Sequence, residues 1–263
     1  MKIIAEVGSN WKSLSDILES CKKAKEIDAD VIKLQLFNSS DMYHKAKSCK
    51  TGITPYLNPD WIQSISAYCK KLDIEFMCTA FSPDGYKLIN KFVETHKIAS
   101  AEITDLDIMS TVNAFKKPVY LSTGGASLEQ IKTALEHLKS CHVTIFYCVT
   151  EYPARIVDFR HITNLVETFK NVYDYGYSDH SLDVLNIPKI AMHHGCSVIE
   201  KHVNFTNYTD TDDAPHALNL KECGLMIKSL RGDEISLGET KEKCSWQRKP
   251  FNVKAEIRYY RSK

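Results

Sequence analysis

The 263-residue sequence has almost no net charge: 34 Lys and Arg stand against 33 Asp and Glu, a formal balance of +1. Nucleic acids and anionic membranes are bound through an excess of basic charge, so neither is expected as a partner. Small molecules are the expected ligands instead. No apolar run approaches the roughly 20 residues that cross a bilayer. The opening stretch Met1-Lys2-Ile3-Ile4-Ala5-Glu6 meets an acid too early for a signal peptide's apolar region. Nine cysteines are present, but none are spaced Cys-x-x-Cys, the pattern of zinc and redox motifs. Cys78 and Cys148 lie inside apolar, strand-like runs, where a thiol packs as a small hydrophobe. The expectation is a reduced, cytoplasmic chain. In that compartment the glycosylation patterns Asn204-Phe205-Thr206 and Asn207-Tyr208-Thr209 would go unused.

What the sequence does have is a regular alternation of strand and helix patterns. Strand patterns cover 2–7, 31–36, 74–79, 96–100, 118–122, 143–149, 172–177 and 198–203. Helical patterns cover 13–27, 61–71, a segment opened by Ser82-Pro83-Asp84, then 106–115, 128–138, 159–169, 184–193 and 220–230. Ser13 suits a helix N-cap, with Leu14, Ile17, Leu18, Cys21 and Ala24 on one face. Strands alternating with helices predict a parallel sheet with crossover connections. Eight such units, in a chain of about the length typical of that fold, predict a closed barrel. The expected fold is therefore α/β: a single-domain (β/α)8 TIM barrel over 1–238, followed by a basic, aromatic tail over 239–263.

In Ser197-Val198-Ile199-Glu200-Lys201-His202-Val203 a branched, apolar strand turns polar at its end. Three consecutive polar side chains cannot share one buried face, so Glu200 and His202 must point into something other than apolar core. Tyr175-Gly176-Tyr177-Ser178-Asp179-His180 repeats the design. A lone strand-end histidine is more often structural, but two of them one βα unit apart come close together in a parallel sheet and suggest a metal. In α/β barrels the chemistry sits at the C-terminal ends of the strands. Those ends carry Glu6; Lys33 and Gln35; Thr79; Ser100 and Glu102; Ser122-Thr123-Gly124; Thr150-Glu151-Tyr152; Ser178 and His180; Glu200 and His202. The set offers hydroxyls and a lysine for a phosphate, carboxylates for a metal or a water, and two imidazoles. Asp179 lies between two of these residues but faces the other way. His193 and His194 close a helix, where an imidazole complements the dipole.

These residues resemble the sialic acid synthase, or NeuB-like, family, which condenses phosphoenolpyruvate with an amino sugar. The resemblance rests on Ala5-Glu6-Val7-Gly8-Ser9-Asn10, Val31-Ile32-Lys33-Leu34-Gln35, Lys97-Ile98-Ala99-Ser100-Ala101-Glu102-Ile103-Thr104, Lys117-Pro118-Val119-Tyr120-Leu121-Ser122-Thr123-Gly124, Glu151-Tyr152-Pro153-Ala154, Gly176-Tyr177-Ser178-Asp179-His180 and Ile199-Glu200-Lys201-His202. It implies a catalytic divalent cation, commonly manganese with magnesium or cobalt as alternatives, bound by His180 and His202 with Glu6 close by. It places phosphoenolpyruvate against Lys33, Thr79, Lys97, Ser100, Ser122 and Ser178, and the sugar against Gln35 and Tyr152. The metal would polarise the aldehyde of an open-chain sugar, and Glu6 would orient or deprotonate the water that attacks the intermediate. Homodimers are common in the family.

Three departures from the family pattern stand out. Trp11 replaces a histidine, so the way into the sugar site is expected to change. Asp212-Asp213-Ala214-Pro215-His216-Ala217 puts Pro215 where the family has a sugar-contacting aspartate, with Asp213 as the substitute. The family's C-terminal antifreeze-like domain, which supplies an arginine to a partner's site, is not expected. The segment from Glu239 through Trp246 to Arg261 is too short for it and reads either as a solvated tail or as a cover for a neighbour's site. Other readings remain open. One is a related synthase taking a phosphorylated or non-acetylated aldose, of the keto-deoxyoctulosonate type. Another is a non-catalytic barrel that binds phosphorylated metabolites, although Glu6, Lys33, Lys97, His180 and His202 together argue against it. Lys33 could instead be a Schiff-base lysine, Ser122-Thr123-Gly124 an ordinary turn, and Glu102 a residue that bonds loop backbone.

Overall fold

Eight parallel strands close on themselves in chain order, β1 pairing with β2 and so on round to β8, which pairs with β1. The computed structural model describes residues 1–37 and 56–232. The strands are β1 (Lys2–Glu6), β2 (Val31–Leu36), β3 (Glu75–Ala80), β4 (His96–Ile98), β5 (Val119–Ser122), β6 (Val143–Cys148), β7 (Asp174–Asp179) and β8 (Val198–His202). The helices around them are α1 (Leu14–Glu26), α2 (Ile62–Leu72), α3 (Pro83–Ile89), α4 (Leu106–Phe115), α5 (Leu128–His137), α6 (Arg160–Thr168), α7 (Asn186–His193) and α8 (Leu220–Arg231). This is the (β/α)8 barrel the alternation predicts. No described helix is long and apolar enough to cross a membrane.

Alternation along each strand divides the interior into two cores. Outward residues such as Ile3, Ala5, Ile32, Leu34, Leu121, Ile145 and Ile199 pack under the helices. Inward residues Ile4, Val31, Met77, Tyr120, Phe146 and Val198 form a separate apolar floor inside the barrel. Gly176 makes room for that floor: a Cβ there would lie 2.7 Å from the Phe146 ring. Above the floor the inward positions become polar. The helices start where the local chemistry allows. Ser13 and Asp16, Ser127 and Gln130, and Asn219 and Glu222 form reciprocal capping boxes, and Ser82 caps α3 with Pro83 in its first turn.

The structure moves several predicted boundaries. β7 runs from 174 to 179 rather than from 172 to 177, because its ladder continues through Ser178 opposite Glu200 and Asp179 opposite Lys201. Polarity marked that end as outside the strand, whereas buried side-chain partners let the backbone pairing run on. β4 stops at Ile98, and Ser100–Glu102 is a 3-10 turn. All seven described cysteines are free thiols. The 239–263 tail lies outside the described residues.

Candidate active site

Apart from Cys148, the inward side chains above the floor that the structure describes are charged or polar, and most are bonded to one another. Glu6, the last residue of β1, is in register with Lys33 on β2 and with His202 on β8. Its Oε2 lies 2.7 Å from Lys33 Nζ, and Gln35 Nε2 donates to its Oε1 at 2.7 Å. Lys33 Nζ also reaches Thr79 Oγ1 at 3.3 Å. On the far side Lys97 Nζ donates to Ser122 Oγ at 2.6 Å. Glu200 joins the two halves: its Oε2 is 3.6 Å from Lys33 Nζ, its Oε1 is 3.5 Å from Lys97 Nζ, and Ser178 Oγ donates to Oε1 at 2.8 Å. Ser100 Oγ accepts the Gly124 N–H at 3.0 Å and touches Cys148 Sγ at 3.1 Å. Gly124 has no room for a side chain, since a Cβ would lie 2.6 Å from Cys148 Sγ.

Burial in this layer pulls apart the protonation of two similar acids. Burial pushes the Glu6 carboxyl up to about 6, with Lys33 opposing and Glu200 adding to the rise. Burial would raise Glu200 as well, but Lys33 and Lys97 outweigh it and hold that carboxyl down at about 2. Burial also acts against both ammonium groups. Glu200 and Glu6 more than compensate at Lys33, which ends above its usual value, whereas Lys97 stays below. One carboxylate is thus a fixed anion and the other is poised to exchange a proton.

A second cluster lies beside the first. His180 follows β7 and His202 ends β8, with ring centroids 5.7 Å apart. His180 Nδ1 is 2.6 Å from the Val149 carbonyl, so that nitrogen carries the proton and Nε2 keeps its lone pair. Ser178 Oγ, 3.3 Å from Nε2, already donates to Glu200. The lone pair of His180 is therefore open. Burial lowers the His180 pKa to about 4 and that of His202 well below the usual imidazole range. His202 Nδ1 is buried with no hydrogen-bond partner among the described residues. Asp213 Oδ1 is 3.8 Å from His202 Nδ1 and 3.0 Å from His216 Nε2, and ligand atoms of His202, Asp213 and His216 all lie within 4.8 Å of one another. Burial opposes the charge on Asp213, yet the two imidazoles and the Ser9 N–H, which donates to Oδ2 at 2.6 Å, hold its carboxyl well below the usual range. His202 with its unpartnered nitrogen, ionised Asp213 and His216 bring ligand atoms within 4.8 Å of one another and fit a borderline-hard divalent ion, with the open lone pair of His180 on the neighbouring strand. The Tyr152 ring covers the group, stacked on His180 at 4.0 Å and edge-on to His216 at 5.0 Å.

The residues assigned to phosphoenolpyruvate, sugar and cation line these two clusters, whereas Glu151 pairs with Arg155, the Thr123 hydroxyl donates to the Phe146 carbonyl and Asp179 faces the helices. Glu6, however, is engaged by Lys33 and Gln35, and it is Asp213 that stands beside the imidazoles. Trp11 does not line the way in: it is buried against Trp61, with ring centroids 6.1 Å apart, and its Nε1 donates to the Gly8 carbonyl at 2.9 Å. Two residues gain importance. Glu200 is the hub of the lysine layer. His216 was visible only as the histidine three residues after Asp213, a spacing that one turn of 3-10 helix (Ala214–His216) converts into contact.

A buried layer of lysines and carboxylates beside paired imidazoles, at the C-terminal mouth of a (β/α)8 barrel, defines an enzyme. Comparison with known proteins places it further: the chain belongs to the NeuB family, whose sequence profile matches residues 20–242. It is 30% identical to the N,N'-diacetyllegionaminic acid synthase of Campylobacter jejuni over 92% of this chain and 79% of that one. It is also 30% identical to the pseudaminic acid synthase of the same species, over 91% and 75%. The N-acetylneuraminic acid synthetase of Leptospira borgpetersenii serovar Hardjo-bovis superposes with a TM-score of 0.81 at 26% identity, covering 94% of this chain and 92% of that one.

Proposed function

We propose that this enzyme condenses phosphoenolpyruvate with an amino aldose, giving a 2-keto-3-deoxy sugar acid and phosphate. The observation that carries the reading is the convergence of Lys33 and Lys97 on Glu200, with the hydroxyls of Thr79, Ser122 and Ser178 around them. Two ammonium groups and three hydroxyls facing one point in a water-poor pocket make a seat for a small polyanion. Phosphoenolpyruvate has a phosphate and a carboxylate to fill it, with Ser100 and the Gly124 N–H closing the far end.

A bound divalent cation, manganese by family resemblance with magnesium or cobalt as alternatives, would be held by His180 and His202 beside Asp213 and His216, and would supply Lewis-acid polarisation of a carbonyl oxygen. The chain's own residues do the rest. The lysines fix the enol phosphate so that its methylene carbon faces the aldehyde; the electron pair of the double bond forms a carbon–carbon bond while the aldehyde's C=O π pair moves onto its oxygen, which takes a proton from solvent to become a hydroxyl. Water adds to the cationic carbon left behind, and Glu6, with its raised pKa, takes the proton. The intermediate then collapses: the new hydroxyl gives up its proton to solvent and its oxygen forms the keto C=O as the bond from that carbon to the bridging oxygen breaks, and phosphate leaves with that oxygen. Gln35, held on Glu6, and Tyr152, over the imidazoles, flank the space left for the sugar. Asp213 we assign to the cation, because His216 and the Ser9 N–H fix it against His202.

Equal identity to a legionaminic and a pseudaminic acid synthase leaves the acceptor open within the amino sugars. The test is phosphate release from phosphoenolpyruvate with N-acetylmannosamine, its 6-phosphate, di-N-acetylated amino sugars, mannose and arabinose 5-phosphate, with manganese or with chelator. Release that needs an amino sugar and stops with chelator is expected. Release with arabinose 5-phosphate alone would move the enzyme to the keto-deoxyoctulosonate type, and release with no aldose would contradict the reading.

A further inference from the structure

Behind the two histidines, on the helix side of the barrel, Asp179 and Lys201 form an ion pair with both side chains fully buried. They are register partners on β7 and β8, each one residue before a site histidine. Lys201 Nζ donates to Asp179 Oδ2 at 2.6 Å, to the Ser181 carbonyl at 2.5 Å and to the Asp183 carbonyl at 3.2 Å. Asp179 Oδ1 accepts the Ser181 N–H at 2.8 Å and the Tyr177 hydroxyl at 3.3 Å. Asp183 in turn accepts the N–H groups of Leu185, Asn186 and Ile187, which starts α7. One ammonium on β8 therefore holds the whole connection that leaves β7 through His180.

A buried ion pair is a weak device for stability, since desolvation offsets most of its attraction and apolar side chains of similar volume often do as well. Its particular effect here is geometric. Among the described residues no other charged group donates to the Ser181 and Asp183 carbonyls, so Lys201 is what ties the residues after Asp179 to β8 on the outer face. We propose that Asp179 and Lys201 are positioning residues: a latch behind the barrel wall that fixes His180 relative to His202 and so sets the affinity of the metal seat. This rests on the assignment of those histidines to a cation.

The test compares the wild type with Asp179→Leu/Lys201→Met, which removes both charges together, and with Lys201→Arg, which keeps the charge on Asp179 but not the compact three-donor geometry. Amide hydrogen exchange, read without metal, is expected to speed up over residues 180–187 and to stay unchanged in α1 to α5. Calorimetric titration with manganese is expected to show an affinity loss of about ten- to a hundredfold, the range seen when groups that orient metal ligands are removed. Unchanged exchange over 180–187, or faster exchange throughout the molecule, would overturn the latch. If the double variant does not fold, Lys201→Arg decides on the same two readouts. A wild type that binds no manganese would defeat the metal assignment, while the exchange pattern would still decide whether the pair holds the loop.

Discussion

Glu6 and Lys33 stand side by side on adjacent strands, in register, with Oε2 and Nζ 2.7 Å apart and both side chains almost wholly buried. Each makes the other's charge tolerable in an interior where either alone would be costly. Because burial still dominates at Glu6, its carboxyl sits near the pH at which an enzyme works.

Glu6→Gln keeps the shape and the partner Gln35 but removes the proton acceptor. Lys33 retains Glu200 as a counter-charge, so the fold should persist. The expected result is a kcat lower by about 10²- to 10⁴-fold with an unchanged circular dichroism spectrum. A kcat within a few-fold of the wild type would remove Glu6 from the chemistry.

Gly8 is needed at the other cluster. Its φ is +55°, and a Cβ there would lie 2.2 Å from Asp213 Oδ2 and 3.3 Å from His202 Nδ1. Gly195 has a similar backbone, φ +96°, with nothing within 4 Å of its would-be Cβ. Gly8→Ala and Gly195→Ala should each lose about 1 to 2 kcal/mol to left-handed strain. Gly8→Ala alone should weaken manganese binding, because Asp213 must move. Equal manganese affinity in the two variants would show that Asp213 does not serve the cation.

The fold was legible in the sequence because βα alternation depends on local periodicity. Part of the polar layer was legible because Lys33 and Glu200 are polar at inward positions beside branched apolar residues, a pattern packing does not produce, whereas Lys97 was marked only by the family resemblance. Loops carry no such periodicity. That Asp213 turns to His202, that His216 joins it, and that Trp11 folds away into the core depend on a positive-φ glycine, a turn of 3-10 helix and a neighbouring tryptophan. Glu200 announced itself as site-facing, but its place between two lysines needs distances across β2, β4 and β8.

Away from the site, His96 is fully buried between Tyr86 and Phe115 and bonds Asn90 Oδ1 through Nε2 at 3.0 Å. Burial lowers its pKa to about 4. With the folded value below the unfolded one, the unfolded chain takes up more protons as the pH drops. Stability from this group is complete above about pH 6.5 and is lost as the pH falls towards 4, a change on the order of 2 to 3 kcal/mol. Urea unfolding at pH 7 and pH 4.5 should show a smaller acid loss in His96→Leu than in the wild type. Equal losses in the two proteins would rule out His96 as a source of acid sensitivity.

The most direct test of the account follows one atom. Phosphoenolpyruvate carrying ¹⁸O only in the bridge between carbon and phosphorus is turned over with an accepted amino aldose, and the released phosphate is weighed by mass spectrometry. Attack by the methylene carbon followed by carbon–oxygen cleavage predicts that the phosphate keeps the label and forms only when the sugar is present. Unlabelled phosphate, with the ¹⁸O left on pyruvate, would mean hydrolysis at phosphorus and would contradict condensation at the site between Lys33 and Lys97.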